Sequence, residues 1–505
     1  MISFAATTAA ADLNGASRSK WILLGIPLAL AGFVNYPIVE NYFFVDDFLN
    51  LYQIENFGFA RYLLTPYVDH VQPTRNAVFY LCAELFGVHP APYYGLVLLT
   101  HLLNVWLLFR VIELLTCSPK LGSFGAAAWS ISPHHAGTLG WYSVFGHVLV
   151  GTALLVIINQ AVAAAVAHRA PTRGELWLWY VLALLAATSF GSGVGLAMML
   201  PFALQFLLPA GSSTRRMPPL ISLVVVVPVL YALLLLTSSD PSGSQALFHA
   251  GDIGMSKLAR VLLYLAYLIA SGFMTLVLGA CGGHVATRGL AFALLAALAI
   301  ALIAAARSAT GELPHRAVAC SLLLLACYGT IALGRFGFVP ENLPLEALWI
   351  LASMLGRYQY VGQLLLAILL CLALRGFFEM FSARAATVLF GMWLAFGILS
   401  QLRCVPPPDT HLGARQQTEK VIGAMRAAIA AQPRGADVYI DNREFAHVLM
   451  KPTLFPGWAA VFTIFFPENT VDDRRVYFVE PDDATRAAAA RGRRTAALLV
   501  PVRPH

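Results

Sequence analysis

Long apolar stretches recur along the chain from Trp21 to about Gln401, separated by short polar or basic turns. Each approaches the ~20 residues an α-helix needs to cross a bilayer. The pattern predicts spans near 21–39, 91–109, 121–133, 144–166, 176–190, 193–208, 219–237, 289–306, 317–334, 361–379 and 385–401. A twelfth apolar segment, 258–281, is harder to place. Lys and Arg collect on cytoplasmic loops and so set orientation. Arg18 and Lys20, Arg110 and Lys120, His168 to Arg173, and Arg215-Arg216 fall between alternate spans. Arg307 with Arg316, and Arg375 with Arg384, mark two further cytoplasmic turns. These assignments agree only if 258–281 returns to the side it came from, which is tolerated where backbone lines a cavity. The N-terminus is then inside and the C-terminus outside after eleven crossings; a twelve-span arrangement is the alternative.

The character changes after Gln401. Pro406-Pro407-Pro408 is a stiff linker, followed by an amphipathic helical stretch, Arg415–Gln432, and β-like runs at Asp437–Ile440, Val476–Val479 and Ala497–Val500. The expected fold is therefore an all-α polytopic membrane protein over 1–401, of about 11–12 transmembrane helices. A small soluble α/β domain follows over 402–505, on the periplasmic side. At the other end, Arg18 and Lys20 precede the Trp21–Val39 span like the start of a signal peptide, with Ala29-Leu30-Ala31 resembling a cleavage site. The apolar run continues to Val39, which favours a retained signal anchor.

Composition agrees with this picture. The 505 residues are 59% hydrophobic and 12% charged, against about 25% charged in soluble domains. The net charge of +7 follows from basic loop ends and needs no nucleic acid. The seven cysteines lie mostly in apolar spans without metal-type spacing, which argues against a disulfide framework. Ala- and Leu-rich spans without eukaryotic sorting signals suggest a bacterial inner membrane.

Polar chemistry concentrates in the first external segment, 40–90, which is too elaborate for a simple connector. Asp46 and Asp47 sit there among Phe43, Phe44 and Phe48. Aromatic walls desolvate a carboxylate and raise its basicity, so the pair reads as a base at the membrane boundary or as a solvated helix end. His70, Gln72 and Arg75 lie on the same segment, before an amphipathic run, Arg75–Phe86, suited to the membrane surface. His70 and Arg75 read equally as headgroup contacts. His101 and Asn104 share a helix face inside a span, where polar groups usually bond a neighbouring helix. His134, His135 and His147 match no common metal spacing. Gly356-Arg357-Tyr358-Gln359-Tyr360 precedes a late span; its arginine suits either a phosphate or an interfacial anchor.

Taken together, these segments resemble the membrane part of GT-C glycosyltransferases, in particular the protein O-mannosyltransferase type and the transmembrane proteins that carry tetratricopeptide repeats. Asp46-Asp47 is placed like that family's acidic pair in its first external loop. His101-Leu102-Leu103-Asn104 is similar to the end of its Gly-Tyr-His-Leu-Val-Asn-x3-His-Leu-Leu-Asn run. Pro133, His135 and Trp141 keep the spacing of a Pro-x-His-x5-Trp element, and Arg357-Tyr358-Gln359-Tyr360 resembles Arg-Tyr-x-Tyr-Leu-Pro. The chain departs at Gln72, where an Arg commonly precedes the proline, and at Gly137, where a Glu is common. Phe145 and His147 replace an Arg and an Asp, and Val361-Gly362 replaces Leu-Pro.

The resemblance implies an inverting transferase that moves a sugar from a polyprenyl-phosphate donor to a protein, lipid or glycan acceptor. Asp46 would be the general base, supported by Asp47. Arg357, Arg75, Tyr358 and Tyr360 would hold the donor phosphate, and His70, Gln72, His101, His135 and Trp141 would line the substrate site. One acidic pair without a further carboxylate cluster favours metal-independence, and no other cofactor is expected. The main rival reading is a lipid flippase or small-molecule transporter, which predicts internal repeats that the chain does not display.

Overall fold

The computed structural model describes residues 3–44, 46–65, 71–208, 218–237, 255–279, 285–308, 312–335, 343–380, 415–441, 464–466 and 470–479, with part of 388–399. His70 and the 497–500 run lie outside the described residues. Seven described helices are long and apolar enough to cross a membrane by length and composition, so the chain is a multi-pass, largely helical membrane protein.

The long first helix, α1 (Ser3–Asn35), runs unbroken through Ala29–Ala31. The described residues between α1 and α5 include α2 (Asp46–Asn56), α3 (Phe59–Leu64) and α4 (Pro73–Phe86). Next come α5 (Pro90–Thr116), α6 (Pro119–Ser130), α7 (His135–Leu139) and α8 (Gly146–Val166). Prolines open α4, α5 and α6, where the missing N–H costs nothing and the fixed φ suits a helix start. After them come α9 (Arg173–Ala187), α10 (Gly191–Leu207), α11 (Pro218–Ile221) and α12 (Leu223–Thr237). The second half holds α13 (Met255–Leu278), α14 (Thr287–Ser308), α15 (Leu313–Gly334), α16 (Leu345–Met354) and α17 (Gln359–Met380). As expected of a surface helix, α4 buries Arg75, Asn76 and Phe79 and exposes Leu81 and Leu85.

Two ends of the bundle are distinguishable. At the basic end Lys20 pairs with Glu113 at 2.7 Å, joining the middle of α1, where its apolar part begins, to the end of α5. At the acidic-pair end Asn35 Nδ2 donates to Ser130 O at 3.1 Å, joining the end of α1 to the end of α6.

The segment 258–281 is settled in direction by contacts that sequence does not reveal. Gln359 Nε2 and Gln363 Nε2 donate to Leu268 O and Gly272 O at 3.3 and 3.0 Å, so α13 and α17 run the same way. Tyr267 of α13 meets the start of α14, taking a hydrogen bond from Arg288 at 3.4 Å and packing on Phe292. Helix α15 begins five residues after α14 ends, and its Arg316 donates to Leu115 O at 2.8 Å at the basic end. Thus α13 and α14 descend side by side from the acidic-pair end, although α13 by itself is of spanning length. Trp393 Nε1 donates to Val277 O at 2.8 Å, and its ring lies 4.9 Å from Phe124, midway along α6. The end of helix α13 therefore lies level with the middle of α6.

The tail carries α18 (Arg415–Ala430) and a three-stranded sheet of β1 (Asp437–Asp441), β2 (Thr470–Val471) and β3 (Arg474–Val479), in the order β1-β3-β2. β1 and β3 are parallel, Val438 opposite Val476. The tail touches the first external segment: Arg415 pairs with Glu40 at 3.5 Å, and Phe465 packs on Tyr42 and Phe48. It therefore lies at the acidic-pair end of the bundle.

Candidate functional site

The two carboxylates differ sharply in their surroundings. Asp47 is wholly buried and accepts from Phe44 N at 2.9 Å, Ser143 N at 2.6 Å and Ser143 Oγ at 2.5 Å, with Tyr94 OH at 3.5 Å. It fastens the start of α2 to the turn after Trp141. Asp46 keeps some exposure, and its backbone carbonyl accepts from Asn50 Nδ2 at 2.6 Å.

Burial pushes the Asp47 carboxyl up to about 7, against the pull of its Ser143 and Phe44 donors, and the neighbouring Asp46 adds a smaller push. The raised value means that the folded chain holds this proton more tightly than the unfolded chain does. Stability from this site is therefore highest below about pH 4, the ordinary carboxylate value. It is lost as pH rises toward 7, because the unfolded state binds fewer protons over that range. Thermal unfolding between pH 4 and 7 should fall less steeply in Asp47→Asn than in the native chain. An identical slope in the two would contradict the assignment.

Arg75 is buried in the same cluster. Its Nη1 donates to Asn50 Oδ1 at 2.6 Å and its Nε to Gln72 Oε1 at 3.0 Å, while Tyr62 OH also reaches Asn50 Oδ1. Asn50 in turn donates to Ser143 Oγ at 3.2 Å. Arg75, bonded to Gln72, thus braces α2 through Asn50.

Arg357 arrives from a different direction. Gly356 packs so closely on His134 that an added Cβ would stand 2.8 Å from His134 O, and Thr138 Oγ1 donates to Arg357 O at 3.3 Å. The guanidinium carbon of Arg357 lies 5.1 Å from the Trp141 ring and 5.2 Å from the Tyr358 ring. Trp141 packs edge-on to Phe44 at 5.5 Å. The single turn Gly140–Ser143 thus carries Asp47's anchor and Arg357's stacking partner. The structure brings Asp46, Asp47, Trp141, Tyr358 and Arg357 together.

Tyr360, His101 and His135 go elsewhere. Tyr360 OH lies 2.9 Å from His101 Nδ1 and takes a hydrogen bond from Asn104 Nδ2 at 3.1 Å, and Trp129 Nε1 donates to Tyr360 O at 3.1 Å. His135 packs against Trp129, His101 and Tyr360, and all three polar rings are wholly buried. Tyr360 therefore clasps α5, α6 and α17 together. His101 and His135 join the same clasp, as the helix-to-helix reading of His101 anticipated.

His134 is held by Ser353 O at 3.1 Å and by Gln363 Nε2 at 3.3 Å, and burial lowers its imidazole to about 4. It is a neutral strut under Arg357. Among the described residues, no three His, Cys, Asp or Glu side chains gather in a group that could hold a metal ion. Ser143, Asn50 and Gln363 escaped the sequence reading. Only Asn50 left a local trace, one helical turn after Asp46.

The chain matches no known protein family, no curated protein and no solved structure. What the site does must follow from its own chemistry.

Proposed function

We propose that this chain is an integral membrane glycosyltransferase of the GT-C kind, transferring a sugar from a polyprenyl-phosphate donor to an acceptor hydroxyl. The observation that carries the reading is the Gly140–Ser143 turn, which joins an acidic helix start to an arginine from the far end of the chain. An acidic pair and a phosphate-binding cation held by one turn suit displacement at a sugar carbon. Asp46 takes the proton of the acceptor hydroxyl. The acceptor oxygen attacks the anomeric carbon from the face opposite the phosphate and forms the new glycosidic bond. The bond from that carbon to the phosphate oxygen breaks, and polyprenyl phosphate leaves with the electron pair. Arg357 offsets the charge that grows on it. Inversion follows from the single displacement.

The order of helix contacts supports eleven crossings, with α13 and the chain after it forming a re-entrant segment. The tail and the acidic pair then share one face, read as the periplasmic side of a bacterial inner membrane with the N-terminus in the cytoplasm. The acceptor is a protein, lipid or envelope glycan.

Arg357→Ala should weaken binding of a polyprenyl-phosphate sugar at least tenfold, since loss of a charge-assisted contact costs roughly 1.5–3 kcal/mol. Titration of the purified protein in detergent checks this, and unchanged affinity would remove Arg357 from the site. Mass spectrometry of lipid-linked sugars and surface glycans in a deletion strain tests the activity itself. The donor should accumulate and one glycan should lose a sugar; an unchanged profile counts against transfer.

A further inference from the structure

Arg357 does not stand alone on its ring. Arg335, at the end of α15, places its guanidinium carbon 4.8 Å from the centre of the same Tyr358 ring. Two cations from separate segments therefore meet on one phenol. Tyr264 of α13 lies within electrostatic reach of both. Tyr264 and Tyr358 are almost wholly buried. Their hydroxyls, with Trp141 Nε1, are buried and make no hydrogen bond among the described residues.

A buried hydroxyl without a partner costs about 1–3 kcal/mol, and three unpaired groups in one corner are unusual in a folded chain. All three can donate: two phenols and an indole N–H. Two guanidiniums add only donors. Such a corner is complementary to an anion that accepts from several directions, and a phosphate has three or more acceptor oxygens.

We infer that Arg335 and Tyr264 complete, with Arg357, Tyr358 and Trp141, one anion site matched to the phosphate left on the carrier lipid after transfer. The inference rests on the glycosyl-transfer reading and sharpens it. Before transfer the donor phosphate is a diester with one negative charge. When the bond to the anomeric carbon breaks, the phosphate keeps the electron pair and becomes a monoester with close to two charges at neutral pH. One arginine balances the donor, and the second balances the charge that appears during the reaction. A contact that strengthens only as charge develops raises turnover more than it tightens substrate binding. Arg335 therefore acts on kcat, while Arg357 acts on both kcat and KM.

The experiment uses the full chain in detergent with three probes at pH 7.5: a short polyprenyl monophosphate, its methyl phosphodiester, and inorganic phosphate. The native protein should bind the monophosphate at least tenfold more tightly than the diester, and inorganic phosphate far more weakly than either. Arg335→Gln should lose most of that preference, weakening the monophosphate about tenfold and the diester less than threefold. Arg335→Lys, which keeps the charge and guards against a folding defect, should retain the preference. Tyr264→Phe should weaken the monophosphate a few-fold. If Arg335→Gln binds both lipids as the native chain does, the inference falls and the transferase reading stands. If inorganic phosphate binds as tightly as the monophosphate, the assignment to a carrier lipid falls. If the native chain binds neither lipid, the transferase reading falls with it.

Discussion

Asp46→Asn is expected to abolish sugar transfer while leaving the protein folded. A positioned general base contributes about 10²–10⁴-fold in rate, and an amide cannot take the proton of the acceptor hydroxyl. The substitution is close to isosteric and keeps the backbone carbonyl that accepts from Asn50, so α2 should start where it does now. Donor affinity should stay within about threefold, because the proposed phosphate ligands are Arg357 and its neighbours and not Asp46. Transfer from a labelled polyprenyl-phosphate sugar, measured beside a thermal melt, separates chemistry from folding. A variant with native rates would end the assignment of Asp46 as base.

Asp47→Ala is expected to fail differently, by loosening the outer loop. Its carboxyl accepts from two backbone N–H groups and a serine hydroxyl, all in buried surroundings. Removing the acceptor strands those donors, and each stranded buried group costs about 1–3 kcal/mol. The melting temperature at pH 6 should fall by several degrees, and protease should cut the 40–65 segment that the native chain protects. Ser143→Ala removes only the hydroxyl donor and keeps the N–H, so its effect should be the smaller of the two. A native melt and native protease resistance in Asp47→Ala would show that the anchor contributes nothing. Activity should also fall, because Asp46 sits on the helix that Asp47 fastens.

The same two aspartates show how far sequence reasoning reached. Their neighbours Phe43, Phe44 and Phe48 marked a desolvated place, and the charge pattern put them beyond the end of α1. What separated their roles was Ser143, 96 residues away in the chain. Its N–H and hydroxyl both turn on Asp47. Arg75 looked equivalent to Arg357 because each stands beside polar or aromatic residues near a span. The fold gave Arg75 to Asn50 and Gln72, and gave Arg357 to Trp141. Tyr360 looked equivalent to Tyr358, but a two-residue step at the start of a helix turns side chains to different faces. One phenol met the arginines and the other met His101. Arg335 carried no local signal, since a lone arginine after an apolar helix is an ordinary span end.

By itself the sequence determined the membrane class, the basic turns, and the segment that holds the acidic pair. All of these follow from local physics: the length of apolar helix a bilayer accepts and the cost of charge in hydrocarbon. Only the tertiary structure decided that α13 descends beside α14, that Asp47 anchors α2 to Ser143, and which arginines meet on Tyr358. Those outcomes depend on hydrogen bonds and ring contacts between segments far apart in the chain. Such contacts leave no periodic trace, because each partner has only to arrive at the right place in the packed bundle.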